Sequence, residues 1–539
     1  MKKLLTLPKK HYFIGIAALL LWLITFFTDT RMFTSDPLAM NCLPVNLQAV
    51  TWMHVLTKIL VLVVIFLTIE FLAAALHRKT LLLPFLLYLS VYVAGLLLNF
   101  PGYFMSDDSI IFAYATRFYP VYWHNYLTSL FYTTGMSLFP ASSGPILLSD
   151  LLYAMTYSFL FYQGEKLYTT RFRYAFLIPG LLPFTLLGAL MSFRPALYAP
   201  FFLFYFVYLF FEWKQKAVLT GWKIVFLGFF TALLCIWRSE GIVLLVFSFF
   251  LLSCVYGRLS AKGVRPVSMR NLLFYAVCLI LMFTMIKAPQ KSGEEKYYGS
   301  DYLIISTTRP LSVIVHRDQT YEGAEEDLAN INAVTDFGYL HNDSLSCSAY
   351  NRYNTDHNQG KYTETGASGT VQKAYLKSAL RLILHNPDLY LGERLQLFLV
   401  TNGIFTYDSS MVLDLKPVVS TDFHLYANDR AYGFELIRGY QRIALPENTW
   451  YASFLFTHGG EAYLPVLVLM AALLIVSLIR RKWFFVFCLL SLFARECVIF
   501  LTAPASFIQY SYPVMYVTAF ALIAFLADWR QEKSRSLNQ

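Results

Sequence analysis

The stretch VTWMHVLTKILVLVVIFLTIEFLAAALHRKTLLLPFLLYLSVYVAGLLLNF, residues 50–100, decides the architecture. It holds two apolar runs, 52–76 and 80–98, parted by His77-Arg78-Lys79. About 20 helical residues cross the hydrocarbon core of a bilayer, so each run is long enough to span. The basic turn between them stays in water. Across all 539 residues, 57% are hydrophobic and only 14% charged, against about a quarter charged in a soluble domain. The charge deficit is the stronger sign, because lipid excludes charge while a soluble protein needs it on its surface. The chain reads as an all-α polytopic membrane protein.

Similar runs recur, and about twelve spans are expected, near 11–28, 52–76, 80–98, 143–162, 174–192, 195–211, 222–237, 240–256, 271–287, 461–479, 483–502 and 508–527. The pairs meeting at Arg194 and Arg238 are so closely spaced that a re-entrant hairpin is the alternative at each. Lys2, Lys3, Lys9 and Lys10 precede the apolar run Phe13–Phe27 without a small-residue cleavage site after it, which predicts an uncleaved first helix. Alternate loops then carry 22 Lys and Arg on one side and four on the other. The positive-inside rule assigns the rich side to the cytoplasm, with both termini there, as expected for a multi-pass protein of the cell membrane. The net charge of +10 is accounted for in the same way and calls for no nucleic acid. The seven cysteines stand singly, with neither zinc-ligand spacing nor a disulfide framework.

The expected organisation is a transmembrane module over 1–287 with an outer loop at 99–144, an extracytoplasmic domain over 288–460 between the ninth and tenth spans, and C-terminal helices with a cytoplasmic tail over 461–539. Within the outer domain, 371–399 has helical apolar spacing broken at Asn386-Pro387, which suits helices on the membrane surface or against the bundle. Residues 320–370, rich in Asn, Asp, Ser, Thr, Gly and Tyr, read as loops.

The outer loop NFPGYFMSDDSIIFAYATRFYPVYWHNYLTSLFY, 99–132, is where chemistry is expected. Asp107 and Asp108 stand at the mouth of a membrane helix, where one carboxylate can take a proton and the other can orient a substrate or hold a metal. The alternative is a capped helix: Ser106 suits an N-cap, and acids in a first turn favour the helix dipole. His124, among Tyr122, Trp123 and Tyr126, is either a site residue or part of an interfacial aromatic belt. Arg194 and Arg238 sit in short outer turns, against the charge rule. A guanidinium fork recognises phosphate well, while a snorkelling anchor, or a local pair of Arg238 with Glu240, is the structural alternative. Arg495-Glu496 lies inside a span, where charge is expensive, and suits either function or a helix-to-helix pair.

Taken together, Asp107-Asp108, then His124, then Arg194-Pro195, then Arg238-Ser239-Glu240-Gly241 resemble the GT-C superfamily of membrane glycosyltransferases. The downstream Asn386-Pro387-Asp388-Leu389-Tyr390 and Arg394 look similar too. The chain departs from the pattern in having His124-Asn125 where many members have His-Pro, and in placing the acidic loop after the third span. The resemblance implies an inverting transfer from a polyprenyl-phosphate sugar to a glycan, lipid or protein acceptor of the cell envelope. Asp108, or Asp107, would be the base, with Arg194, Arg238 or Arg394 facing the departing phosphate. A divalent metal (Mg or Mn) bridging the acids and the phosphate stays open. Tyr297, Tyr298, Tyr350 and Tyr353 are candidates for stacking on sugar rings. The competing readings are an envelope polysaccharide polymerase or ligase, which would recognise its donor through the late outer segment, and a lipid-linked sugar flippase or other transporter.

Overall fold

The structure is a computed structural model and describes residues 9–33, 47–103, 106–122, 124–260, 263–265, 267–297, 301–335, 369–401, 463–503 and 508–537. It is that of a helical membrane protein. Among the described residues, eight helices are long and apolar enough to cross a membrane. Three shorter apolar helices, His11–Phe27, Gly221–Trp237 and Leu464–Ile479, fall at other expected spans.

The chain divides into two compact units. The first comprises 1–283, 415–490 and 511–539, and the second 284–414 and 491–510. In the first unit the order begins with α1 (Lys9–Met32), α2 (Leu47–Leu76), α3 (Lys79–Leu98), α4 (Ser106–Ala115), α5 (Tyr126–Leu138) and α6 (Gly144–Leu167). After a broken stretch come α7 (Pro183–Gly188), α8 (Arg194–Lys214), α9 (Gly221–Trp237) and α10 (Leu244–Tyr256). A small antiparallel hairpin pairs Arg258–Ser260 with Gly263–Arg265. It leads into α11 (Met269–Tyr297), whose end belongs to the second unit.

Burial separates the helices by role. Within its apolar window α2 is only 17% buried, whereas α8 is 72% buried. So α2 presents Val55, Ile59, Val63 and Leu67 outward as a lipid-facing surface, and α8 is a central helix. On α3 the buried positions Leu81, Phe85, Tyr88, Tyr92 and Leu96 recur at three- to four-residue spacing and pack on α6.

The fifth expected span, 174–192, is no continuous helix. Arg171–Leu177 and Pro179–Leu181 are 3-10 turns, followed by the short α7. Pro179 and Pro183 lack the amide hydrogens a continuous helix needs, and each instead starts a new element. The freed carbonyls need donors, since lipid supplies none. Buried tyrosines provide them: Tyr88 donates to the Leu177 carbonyl (2.9 Å), Tyr92 to that of Gly180 (2.8 Å) and Tyr516 to that of Phe184 (3.1 Å).

In the second unit, α12 (Asp301–Ile314), α13 (Ala324–Val334), α14 (Gly369–His385) and α15 (Pro387–Thr401) enclose a core of Ile304, Leu311, Ile331, Tyr375 and Leu382. The expected break at Asn386-Pro387 is the joint between α14 and α15, and 324–334, expected as loop, is helical because Ile331 and Val334 are buried in this core. The remaining helices are α16 (Tyr463–Ile479), α17 (Trp483–Thr502) and α18 (Tyr512–Leu537).

Candidate active site

The site is built from the end of α3 upward. Asn99 closes that helix, its amide bonding the Gly95 carbonyl at 2.9 Å, and its side-chain oxygen accepts from the Tyr103 hydroxyl at 2.8 Å. Gly102 has φ +105°, and a Cβ there would strike the Ile146 side chain and the Leu190 carbonyl, so the turn requires glycine. Tyr103 then forms a parallel bridge to Met191, with Tyr103 N on Leu190 O at 2.8 Å and Ser192 N on Tyr103 O at 3.2 Å. This bridge carries Ser192 to the acidic loop.

Helix α4 starts at Ser106, which puts both acids in its first turn. Asp108 is 2% exposed, and its Oδ2 accepts a hydrogen bond from Ser192 Oγ at 3.0 Å. The Tyr132 hydroxyl donates to the Ser192 carbonyl at 2.9 Å and stands beside the Asp108 carboxylate. Asp108 is thus tied to a residue 84 positions away, which helix capping alone does not require. The side chain of Asp107 lies outside the described residues, as do Trp123, Tyr298, Tyr350, Tyr353 and the side chain of Tyr297.

His124 is partly buried with its Nε2 enclosed. Burial, then the positive charges of Arg194 and Arg238, hold its imidazole well below the ordinary histidine range, so it is neutral at pH 7. Asn125 explains the absence of a proline after it. Its φ is +69°, closed to proline, while its side chain accepts from Leu127 N (3.1 Å) to cap α5 and donates to the Ile236 carbonyl at the end of α9 (2.7 Å). Trp237 Nε1 adds a bond to Thr128 Oγ1 at 3.0 Å. These ties bring the His124 loop to the Arg238 turn.

Arg194 is the first residue of α8, with Pro195 in the first turn and no side-chain cap from Phe193. A guanidinium there adds to the positive end of the helix dipole, the arrangement that favours an anion. Arg238 and Glu240 are 3% and 5% exposed and form a two-point ion pair, Nε to Oε2 at 3.1 Å and a second bond from the guanidinium to Oε1. The local pair weighed as an alternative at this turn is therefore present. Gly241 lets the turn lie on the end of α9, since a Cβ would meet the Leu234 carbonyl.

Asp108, His124, Arg194, Arg238 and Glu240 all belong to the first unit. There the Tyr103–Met191 bridge and the Ser192–Asp108 bond hold the segment after α3 to the start of α8, and Asn125 holds the start of α5 to the end of α9. Arg394 belongs to the second. There it is fully buried, bonding Glu393 Oε2 at 2.6 Å and the Ala503 carbonyl at 2.6 Å, while Arg309 pairs with Glu393 from α12. Tyr390 caps the Leu501 carbonyl at 2.7 Å, so this motif holds the end of α17. Arg495 bonds its neighbour Glu496 at 3.1 Å.

Sequence reasoning missed Ser192 and Tyr132, whose relation to Asp108 exists only through the fold. It also passed over Asp150, a fully buried acid in α6 with neither carboxylate oxygen hydrogen-bonded. An acid inside an apolar span was the signal. Among the described residues no three His, Cys, Asp or Glu side chains gather as metal ligands. Among the described side chains, Asp108 is the carboxylate of the acidic loop.

No protein-family model, curated protein or solved structure matches the chain. The chemistry available to the chain is set by the arrangement itself. It sets a sequestered carboxylate on Ser192, two residues before an arginine at a helix N-terminus, and a neutral imidazole in the field of that arginine and of the Glu240-paired Arg238.

Proposed function

We propose that the chain is an inverting membrane glycosyltransferase of the GT-C type, moving a sugar from a polyprenyl-phosphate donor to a cell-envelope glycan, lipid or protein. The reading places both termini in the cytoplasm and the Asp108 cluster at the outer face of a bacterial plasma membrane. The observation that carries it is the Ser192–Asp108 bond, because it sets a buried carboxylate beside the Arg194 end of α8.

In this mechanism Asp108 accepts the proton of the acceptor hydroxyl as the new bond forms at the anomeric carbon. The bond from that carbon to the phosphate oxygen breaks, and its electron pair leaves with the lipid phosphate. Arg194 and the start of α8 meet the developing charge. Attack from the face opposite the leaving group inverts the sugar. Arg238, compensated by Glu240, steadies the turn against His124. Neutral His124 is able to hydrogen-bond a sugar hydroxyl.

The broken crossing at 171–192 favours a transporter, because such proteins bind substrate at discontinuous helices. Here its carbonyls at Leu177, Gly180 and Phe184 are filled by tyrosines rather than turned to a cavity, which favours the transferase. The test is release of polyprenyl phosphate, coupled to acceptor labelling, in membranes supplied with radiolabelled polyprenyl-phosphate sugars. Donor translocation without bond cleavage would instead support the transporter.

A further inference from the structure

A cavity of about 650 Å³ lies at the other end of the first unit. Helix α8 carries Arg194 at its start and Lys214 at its finish. Twenty-one helical residues span roughly 30 Å, so the cavity and the Asp108 cluster are about one hydrocarbon thickness apart. The ends of α6, α8 and α10 meet α18 around it.

Its polar floor is already built. Asp528 is 4% exposed, accepts from the Tyr168 hydroxyl at 2.5 Å and pairs with Lys214. The Lys214 ammonium also sits 4.3 Å over the Trp213 ring, which stacks on Phe484 with centroids 5.2 Å apart. Glu532, on the rim, is held by Lys482. The lining charges left over are Lys216 and Arg535, both exposed and in no ion pair among the described residues. A satisfied floor, an aromatic wall and two uncommitted cations select an anion with an amphiphilic body. The volume falls within the roughly 300–1,000 Å³ usual for small-molecule sites.

We infer that this cavity binds a phosphate-bearing headgroup, with Lys216 and Arg535 on the phosphate and Trp213 beside the apolar junction of the ligand. Aromatic rings at this level sit naturally at the boundary between tails and headgroups. The inference is independent of the reaction at Asp108, since the two ends of α8 do not share a residue.

Native mass spectrometry of the full-length protein with phosphatidylglycerol, and separately with glycerol 3-phosphate, tests it. The wild type retains one phosphatidylglycerol. Each cation near a membrane surface is worth about a fivefold change in affinity, so the Lys216→Asn, Arg535→Gln double variant binds about 25-fold more weakly. Lys533→Gln, on the same helix but off the cavity lining, leaves binding unchanged. Displacement of the lipid by glycerol 3-phosphate supports the phosphate site and makes a soluble phosphate ester its ligand. Equal lipid retention by wild type and double variant, with unchanged thermal midpoints, overturns the inference, as does equal weakening by Lys533→Gln.

Discussion

Ser192 gives its hydroxyl hydrogen to Asp108 at 3.0 Å, joining the residue two before Arg194 to the acidic loop 84 positions earlier. The bond stabilises the charged form of the carboxylate and fixes its direction. Ser192→Ala is expected to move the acid limb of the pH–rate profile to higher pH, with turnover reduced about tenfold, because one hydrogen bond to a charged group is worth roughly 1.5–3 kcal/mol. An unmoved profile would leave Ser192 with a purely structural part.

The Arg238–Glu240 pair sets a different expectation. Both partners are buried, so Glu240→Gln leaves an uncompensated guanidinium and should cost about 3–5 kcal/mol. A detergent thermal-unfolding series measures this. Replacing both residues by apolar ones of similar volume should recover much of the loss. Equal stability of Glu240→Gln and wild type would show that the pair is not closed in the membrane.

His124 gives a pH dependence of defined sign. Its imidazole is held below the usual range, so the unfolded chain binds a proton below about pH 6.5 that the folded protein refuses. Stability contributed by neutral His124 is therefore complete above that pH and lost as pH falls below it. Wild type should lose roughly 1 kcal/mol more than His124→Gln between pH 6.5 and pH 5.5. Parallel curves for the two proteins would contradict the burial of a neutral ring.

Much of the fold was legible because a membrane imposes simple length and charge rules. The runs 52–76 and 80–98 became α2 and α3, with α2 starting earlier, at Leu47, and the other ends within a residue of expectation. The run 174–192 was misleading because hydropathy does not register missing amide hydrogens. Pro179 and Pro183 had the information, but the donors that make the break tolerable, Tyr88, Tyr92 and Tyr516, are distant in sequence. The site was legible in part for the same reason. Asp108 stood out as one of an acidic pair in a long loop, and Arg194 and Arg238 as charges in short turns expected on the outer side, whereas Ser192 is an ordinary residue until Tyr103 bridges to Met191. Asn386 to Arg394 carried a functional resemblance, yet its side chains bond within the second unit and cap the end of α17.

The central claim is that Asp108 takes the acceptor proton, and Asp108→Asn tests it most directly. The amide can still accept from Ser192, so insertion and thermal midpoint should stay near those of wild type. Sugar transfer from a radiolabelled polyprenyl-phosphate donor, normalised to folded protein, should fall by about 10²–10⁴-fold. Full specific activity in Asp108→Asn, and again in the double variant with Asp107→Asn, would contradict the account.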